Sequence, residues 1–169
     1  FLSRRLAAYP QARDRPDIAG TSALSPHLHS GTISPRQVWH AVKWERERPE
    51  GTSEQADAFL RQLGWREFSY HVLLHNPHTT QAPLREKFEA FDWRGDEEAL
   101  EVWKNGQTGY PIVDAGMRQL LETGWMHNRV RMIVASFLTK DLLIPWQEGE
   151  AWFWERLVDA DLANNVMGW

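Results

Sequence analysis

The sequence contains no cysteine, so no disulfide staples it and no thiolate can ligate a metal. That suits a reducing compartment, and the chain is expected to be cytoplasmic. No apolar run approaches the roughly 18 residues that a membrane helix needs, and no charged-then-apolar leader opens the chain. Strand-like alternation, internal repeats and low-complexity tracts are all missing. There is no Gly-x-Gly-x-x-Gly, no P-loop and no Cys/His metal spacing. His71 and His75 stand four apart and His27 and His29 two apart, too few ligands for a site, so no metal is expected. An excess of positive charge is lacking too. The net charge is -4, so nucleic-acid contact has to be local, around Arg4, Arg5, Arg13 and Arg15 or around Arg129 and Arg131.

What remains is a helical alphabet rich in tryptophan. The 169 residues fit one domain, long enough to bury roughly 70% of the unfolded surface. Ten tryptophans are present, most of them expected in the core, with some free to line a planar ligand or carry electrons. Phe1 and Trp169 both read as cut ends of something longer.

The chain punctuates itself with proline and glycine. Phe1 to Tyr9 is expected as a short helix ended by Pro10, and residues 10 to 23 as a loop. Thr21-Ser22-Ala23-Leu24-Ser25-Pro26 gathers three hydroxyls before a helical turn. Such a group either caps the helix or cradles an anion, and spacing leaves both open. Ser34-Pro35 starts a helix to about Arg48. Thr52-x-x-Gln55 resembles a capping box for a long helix through Phe59, Leu63, Phe68, Val72 and His75, closed by Pro77. Residues 76 to 92 are irregular and are expected to form a seam between two helical lobes. Helices follow from Asp96 to Asn105 and from about Ile112 to Glu122, with a last one after Gly149 through Trp152, Phe153 and Leu157. The fold class is all-α.

A stretch from Trp125 to about Leu138 organises the rest. As a helix it places Asn128, Arg131 and Met132 on one face and packs Val130, Ile133, Val134, Phe137 and Leu138 elsewhere. A guanidinium cannot shed its proton when buried, so Arg131 needs a carboxylate. Asp159 and Asp161 in Asp159-Ala160-Asp161-Leu162-Ala163-Asn164-Asn165 offer one. A structural ion pair and a ligand-binding pair both fit that spacing.

Five motifs resemble the DNA photolyase/cryptochrome family. They are Thr-Ser-x-Leu-Ser-Pro-x-Leu at 21 to 28, Trp-Arg-Glu-Phe at 65 to 68, and Thr-Gly-Tyr-Pro-Ile-Val-Asp-Ala at 108 to 115. Gly-Trp-Met-His-Asn-Arg-x-Arg-Met at 124 to 132 and Asp-x-Asp-Leu-Ala-x-Asn at 159 to 165 complete the set. The match is collinear over almost the whole chain. It implies the multi-helical, two-lobed FAD-binding domain over residues 1 to 169, incomplete at its C-terminus and without the N-terminal antenna domain. Any folate or deazaflavin antenna pigment is expected only in that domain.

Position by position, the resemblance implies an FAD whose phosphates meet Tyr9, Thr21, Ser22 and Ser25, with Ala23 and Leu24 also among the cofactor-binding residues. Phe59, Gln62, Arg66 and Asn128 line its cavity. Arg131 pairs with Asp159 along the isoalloxazine, Asp161 sits at its polar edge, and Asn165 faces N5, where an amide tunes the redox state by a hydrogen bond. Trp169, Trp146 and Trp93 match a chain of electron donors from flavin to surface. Arg13, Trp65, Asn128, Arg129 and Met132 match contacts to damaged DNA.

The reaction implied is light-driven electron transfer from reduced FAD to a pyrimidine dimer taken out of the duplex. Such a protein is expected to act on UV-damaged DNA as a monomer, with no membrane partner. One residue departs: Gln62 stands where photolyases for cyclobutane dimers place Glu, as in (6-4) photolyases and animal-type cryptochromes. Asn128 and Met132 follow the cyclobutane pattern, so cyclobutane repair is the reading. A cryptochrome photoreceptor or a (6-4) photolyase is the alternative.

Overall fold

The computed structural model describes residues 1–47 and 53–169. Among them every regular element is helical. The chain forms two compact units, Phe1–Ser69 and Tyr70–Trp169. The irregular stretch 76 to 92, expected as the seam, therefore lies inside the second unit. The Gln81 carbonyl accepts from Gln147 Nε2 at 3.3 Å, and the Leu143 carbonyl from the Arg94 N–H at 2.7 Å just beyond the stretch.

In the first unit, α1 (Tyr9–Ala12) begins where a helix was expected to end, with Pro10 in its first turn. Proline lacks the N–H that a first turn leaves unused, so it opens this helix instead of stopping it. After α2 (Ser25–His29), α3 (Pro35–Arg46) starts on a complete capping box between Ser34 and Gln37. The expected end of α3 at Arg48, the stop at Pro49 to Gly51 and the Thr52 cap lie outside the described residues. α4 (Ser53–His75) then runs to Pro77 as expected. Leu6, Tyr9, Val38, Val42, Phe59, Leu60 and Leu63 pack together as this unit's core.

The second unit is built on α5 (Glu97–Lys104), α6 (Pro111–Thr123), α7 (Asn128–Ser136), α8 (Trp146–Arg156) and α9 (Leu162–Gly168). α7 starts three residues later than its apolar spacing suggests, because His127 caps it: Nδ1 accepts the Arg129 N–H at 3.1 Å. It then widens into a π-helical turn over Phe137–Asp141. α6 and α7 approach closely at Gly116, where a Cβ would lie 2.4 Å from Val130 Cγ1. Gly149 was expected ahead of a helix but lies inside α8.

Two expectations about burial fail. Only Trp103 among the ten tryptophans is buried, its indole N–H donating to the Val134 carbonyl at 3.0 Å. Tryptophan is large, and the other nine keep part or most of their surface in solvent. On α7 only the stripe Val130, Val134 and Ala135 is buried; Ile133 and Asn128 face solvent.

Candidate functional site

The expected site residues divide between the units. Tyr9, Arg13, Thr21 to Ser25, Phe59, Gln62, Trp65 and Arg66 belong to the first, and Trp93, Asn128, Arg129, Arg131, Met132, Trp146, Asp159, Asp161, Asn165 and Trp169 to the second.

In the first unit the hydroxyl cluster does not cap α2: the N-cap is Leu24, with no side-chain hydrogen bond there. Ser22 Oγ accepts the Leu24 N–H at 3.4 Å. Ala23 has φ 54°, left-handed and uncommon for a residue with a Cβ, and Leu24 follows in the right-handed region. Successive residues of opposite hand turn their N–H groups into a shared concavity that suits an anion. Tyr9 is buried, with Phe1 and Phe59 edge-on at 5.6 and 5.3 Å. Burial pushes its phenol above the usual tyrosine range, opposed in part by Arg13, whose guanidinium lies 5.8 Å from the ring centroid. Arg13 also pairs with Asp14 at 3.3 Å. On α4, Gln62, Trp65 and Arg66 share a face by their spacing. Gln62 is half-buried, Trp65 is 57% exposed with Phe68 edge-on at 5.7 Å, and Arg66 pairs with Glu67.

In the second unit Arg131 Nη2 meets Asp159 Oδ2 at 2.9 Å, and its Nε donates to the Met126 carbonyl at 2.8 Å. The Asp159 side chain is 1% exposed, and its Oδ1 is buried with no hydrogen-bond partner among the described residues. Asp161 has a helix-capping part: Oδ1 accepts the Asn164 backbone N–H at 2.9 Å, while Tyr70 donates to Oδ2. Asn165 Nδ2 donates to Glu150, and Asn165 Oδ1 accepts from Trp169 Nε1 at 3.3 Å. Trp169 also packs on Phe153 at 5.1 Å. Trp146 opens α8, half-buried. Trp93 is half-buried too, 4.4 Å from Phe91, and the Arg94–Leu143 backbone bond ties its segment to the one leading into Trp146.

Met132 is 51% exposed, and its sulfur takes weak contacts from Asn128 Nδ2 at 3.8 Å and Arg129 Nη1 at 3.7 Å. It opens onto a groove of about 640 Å³ lined also by Tyr110, Ile112, Ile133, Phe137 and Lys140. Sequence reasoning missed this groove, along with His127, Glu150 and Asp114. The Asp114 carboxylate accepts from the Thr108 N–H at 2.8 Å, Thr108 Oγ1 at 2.6 Å and the Gly109 N–H at 3.0 Å. Burial alone raises its pKa, but those bonds and Arg118 outweigh it and hold it below the usual aspartate range.

Residues 59–169 match the model of a family described as the FAD binding domain of DNA photolyase. A deoxyribodipyrimidine photo-lyase of Agrobacterium fabrum is 51% identical over the whole chain, which spans 35% of that protein. Cryptochrome-1 of Arabidopsis thaliana is 42% identical, again over the whole chain and 26% of its own length. The crystal structure of a class III photolyase from Agrobacterium tumefaciens superposes with a TM-score of 0.96 at 50% identity, covering 99% of this chain and 34% of that one. The chain thus spans about a third of the length of the photolyases it matches.

Proposed function

Because the chain belongs to the family of the FAD-binding domain of DNA photolyase, we propose that it is part of an enzyme that uses FAD and blue light to split cyclobutane pyrimidine dimers in DNA. The observation that carries the cofactor is Asp159. A buried carboxylate oxygen without a partner is rare in a folded core, and an N–H or O–H of a bound molecule satisfies it. Arg131 holds that carboxylate in place, and the turn at Ala23 and Leu24 suits a diphosphate. When bound, FAD supplies light-driven one-electron chemistry.

The protein's own residues bind, orient and exclude water. In this reading Phe59, Gln62, Arg66 and Asn128 line the cofactor cavity, with Asp161 and Asn165 at the ring's polar side. Met132 and Trp65 are both exposed, as stacking on a base taken out of the duplex requires. Arg129 beside Met132, and Arg13, give phosphate contacts that a chain of net charge -4 can offer only locally. Trp93, Trp146 and Trp169 serve as donors that restore the reduced cofactor. The enzyme acts as a cytoplasmic monomer.

Gln62 favours a second reading, a cryptochrome photoreceptor, because a neutral amide cannot act as a charged neighbour to the lesion. Binding separates the two. The flavin-loaded protein should prefer a duplex holding one thymine dimer over the undamaged duplex, and Met132→Ala and Trp65→Ala should each erode the preference. Equal affinity for both duplexes would favour the photoreceptor.

A further inference from the structure

Asn165, the last residue of the 159 to 165 motif, joins two residues outside every motif in a polar chain at α8 and α9: Glu150 and Trp169. Asn165 Nδ2 donates twice to Glu150, to the carboxylate Oε1 at 2.8 Å and to the backbone carbonyl at 3.1 Å. Asn165 Oδ1 accepts from Trp169 Nε1 at 3.3 Å. An amide has one donating and one accepting end, while indole only donates. Turning Asn165 over would set its oxygen against two acceptors on Glu150 and its NH2 against the indole N–H. One orientation is therefore selected from both ends.

The neighbouring residue makes the contact possible. A Cβ on Gly149 would lie 2.1 Å from Trp169 Cη2 and 2.6 Å from Leu138 Cδ2, so the indole rests directly on the α8 backbone. The Glu150 carboxyl sits above the ordinary glutamate range, lifted by burial and partly offset by the Asn165 bond. It is thus a group partly withdrawn from water, where its hydrogen bond to Asn165 is screened less than at an open surface.

We propose that Glu150 is a positioning residue that locks the Asn165 amide with its nitrogen committed and its carbonyl available. The carbonyl has a second lone pair beyond the one Trp169 uses, so Asn165 meets any bound molecule as an acceptor only. This rests on the reading that Asn165 faces the flavin. There, an acceptor-only amide favours a ring atom that carries a hydrogen, which is the reduced side of the couple. Without the Glu150 carboxylate only its backbone carbonyl and the Trp169 indole still select that orientation, so the turned-over amide, which donates and favours the oxidised side, gains population.

The test uses the flavin-loaded protein with Glu150→Leu, Glu150→Gln and Asn165→Ala, read by the flavin reduction potential and by the Trp169 indole N–H resonance in tryptophan labelled with ¹⁵N. Glu150→Leu should shift the potential downward and move the indole resonance. Glu150→Gln, whose amide oxygen can still accept from Asn165, should recover most of both. A parental potential in Glu150→Leu alongside a shifted one in Asn165→Ala would overturn the positioning role while leaving Asn165 at the flavin. Parental potentials in both variants would overturn the placement of Asn165 and the proposal with it. Should Glu150→Leu fail to load flavin, the resonance is read in the flavin-free chain, where an unmoved signal equally overturns the lock.

Discussion

Arg131 and Asp159 form an ion pair at 2.9 Å in which the Asp159 side chain is shut away and the Arg131 side chain is 23% exposed. The asymmetry decides what mutation does. Removing Arg131 leaves a buried charge with no partner on either oxygen, whereas the lost cation was already partly in water. Arg131→Ala should cost about 3 kcal/mol in denaturant unfolding. Adding Asp159→Asn to that variant should recover much of the loss, because a neutral amide does not need the guanidinium. An unchanged midpoint in Arg131→Ala would show that the pair contributes nothing.

Asp114 sets a pH dependence. Its folded pKa is depressed, so it contributes stability that is fully present above the unfolded value of about 3.9 and is lost as pH falls through the lower folded value. Asp114→Asn should cost about 2 kcal/mol at neutral pH through its weakened bonds to Thr108 and Gly109. It should also flatten the acid limb below about pH 4 relative to the parent. Parallel acid limbs in urea titrations of the two proteins would count against this.

Two glycines make a paired prediction. Gly149→Ala forces Trp169 or Leu138 to move and should destabilise by about 1–3 kcal/mol. Gly64→Ala, also inside a helix but with nothing within 4 Å of the new methyl, should stabilise by about 0.5–1 kcal/mol. Equal effects at both sites would refute the close seat of Trp169 on α8.

Trp93→Phe keeps an aromatic ring against Phe91 and should leave melting temperature and flavin content nearly unchanged. Phenylalanine is far harder to oxidise, so light-driven reduction of oxidised flavin by an external reductant should slow strongly. Repair begun from chemically reduced flavin should survive. Photoreduction at the parental rate would remove Trp93 from the donor chain.

The helices were legible where punctuation was local. Ser34-Pro35 and Asp96 mark boundaries that depend on neighbouring residues, and the structure respects them. Pro10 and Gly149 misled because their meaning is set elsewhere, by a first turn in one case and by a ring arriving from Trp169 in the other. That Arg131 needs an acid could be read because a permanent cation among apolar residues demands one, whereas Asp159 over Asp161 came only from the family resemblance. Glu150 could not, since an acidic residue on a helix of mixed polarity looks like solvated surface until α9 folds against it. Burial on α7 was overread for a similar reason: periodicity marks apolar positions but not which of them, such as Ile133, meet another surface.

The Gln62 position bears most sharply on the lesion. A glutamate there can carry charge or a proton where this amide cannot, so Gln62→Glu should raise the quantum yield of dimer splitting above the parent's. A yield at or below the parent's would assign Gln62 to another substrate or to signalling.

The most direct measurement is repair itself: a thymine-dimer oligonucleotide incubated with the flavin-loaded, reduced protein under blue light, with a dark control. Cyclobutane repair predicts that intact thymines are restored in the light and not in the dark. A dimer that survives illumination, with flavin demonstrably bound and reduced, would contradict it.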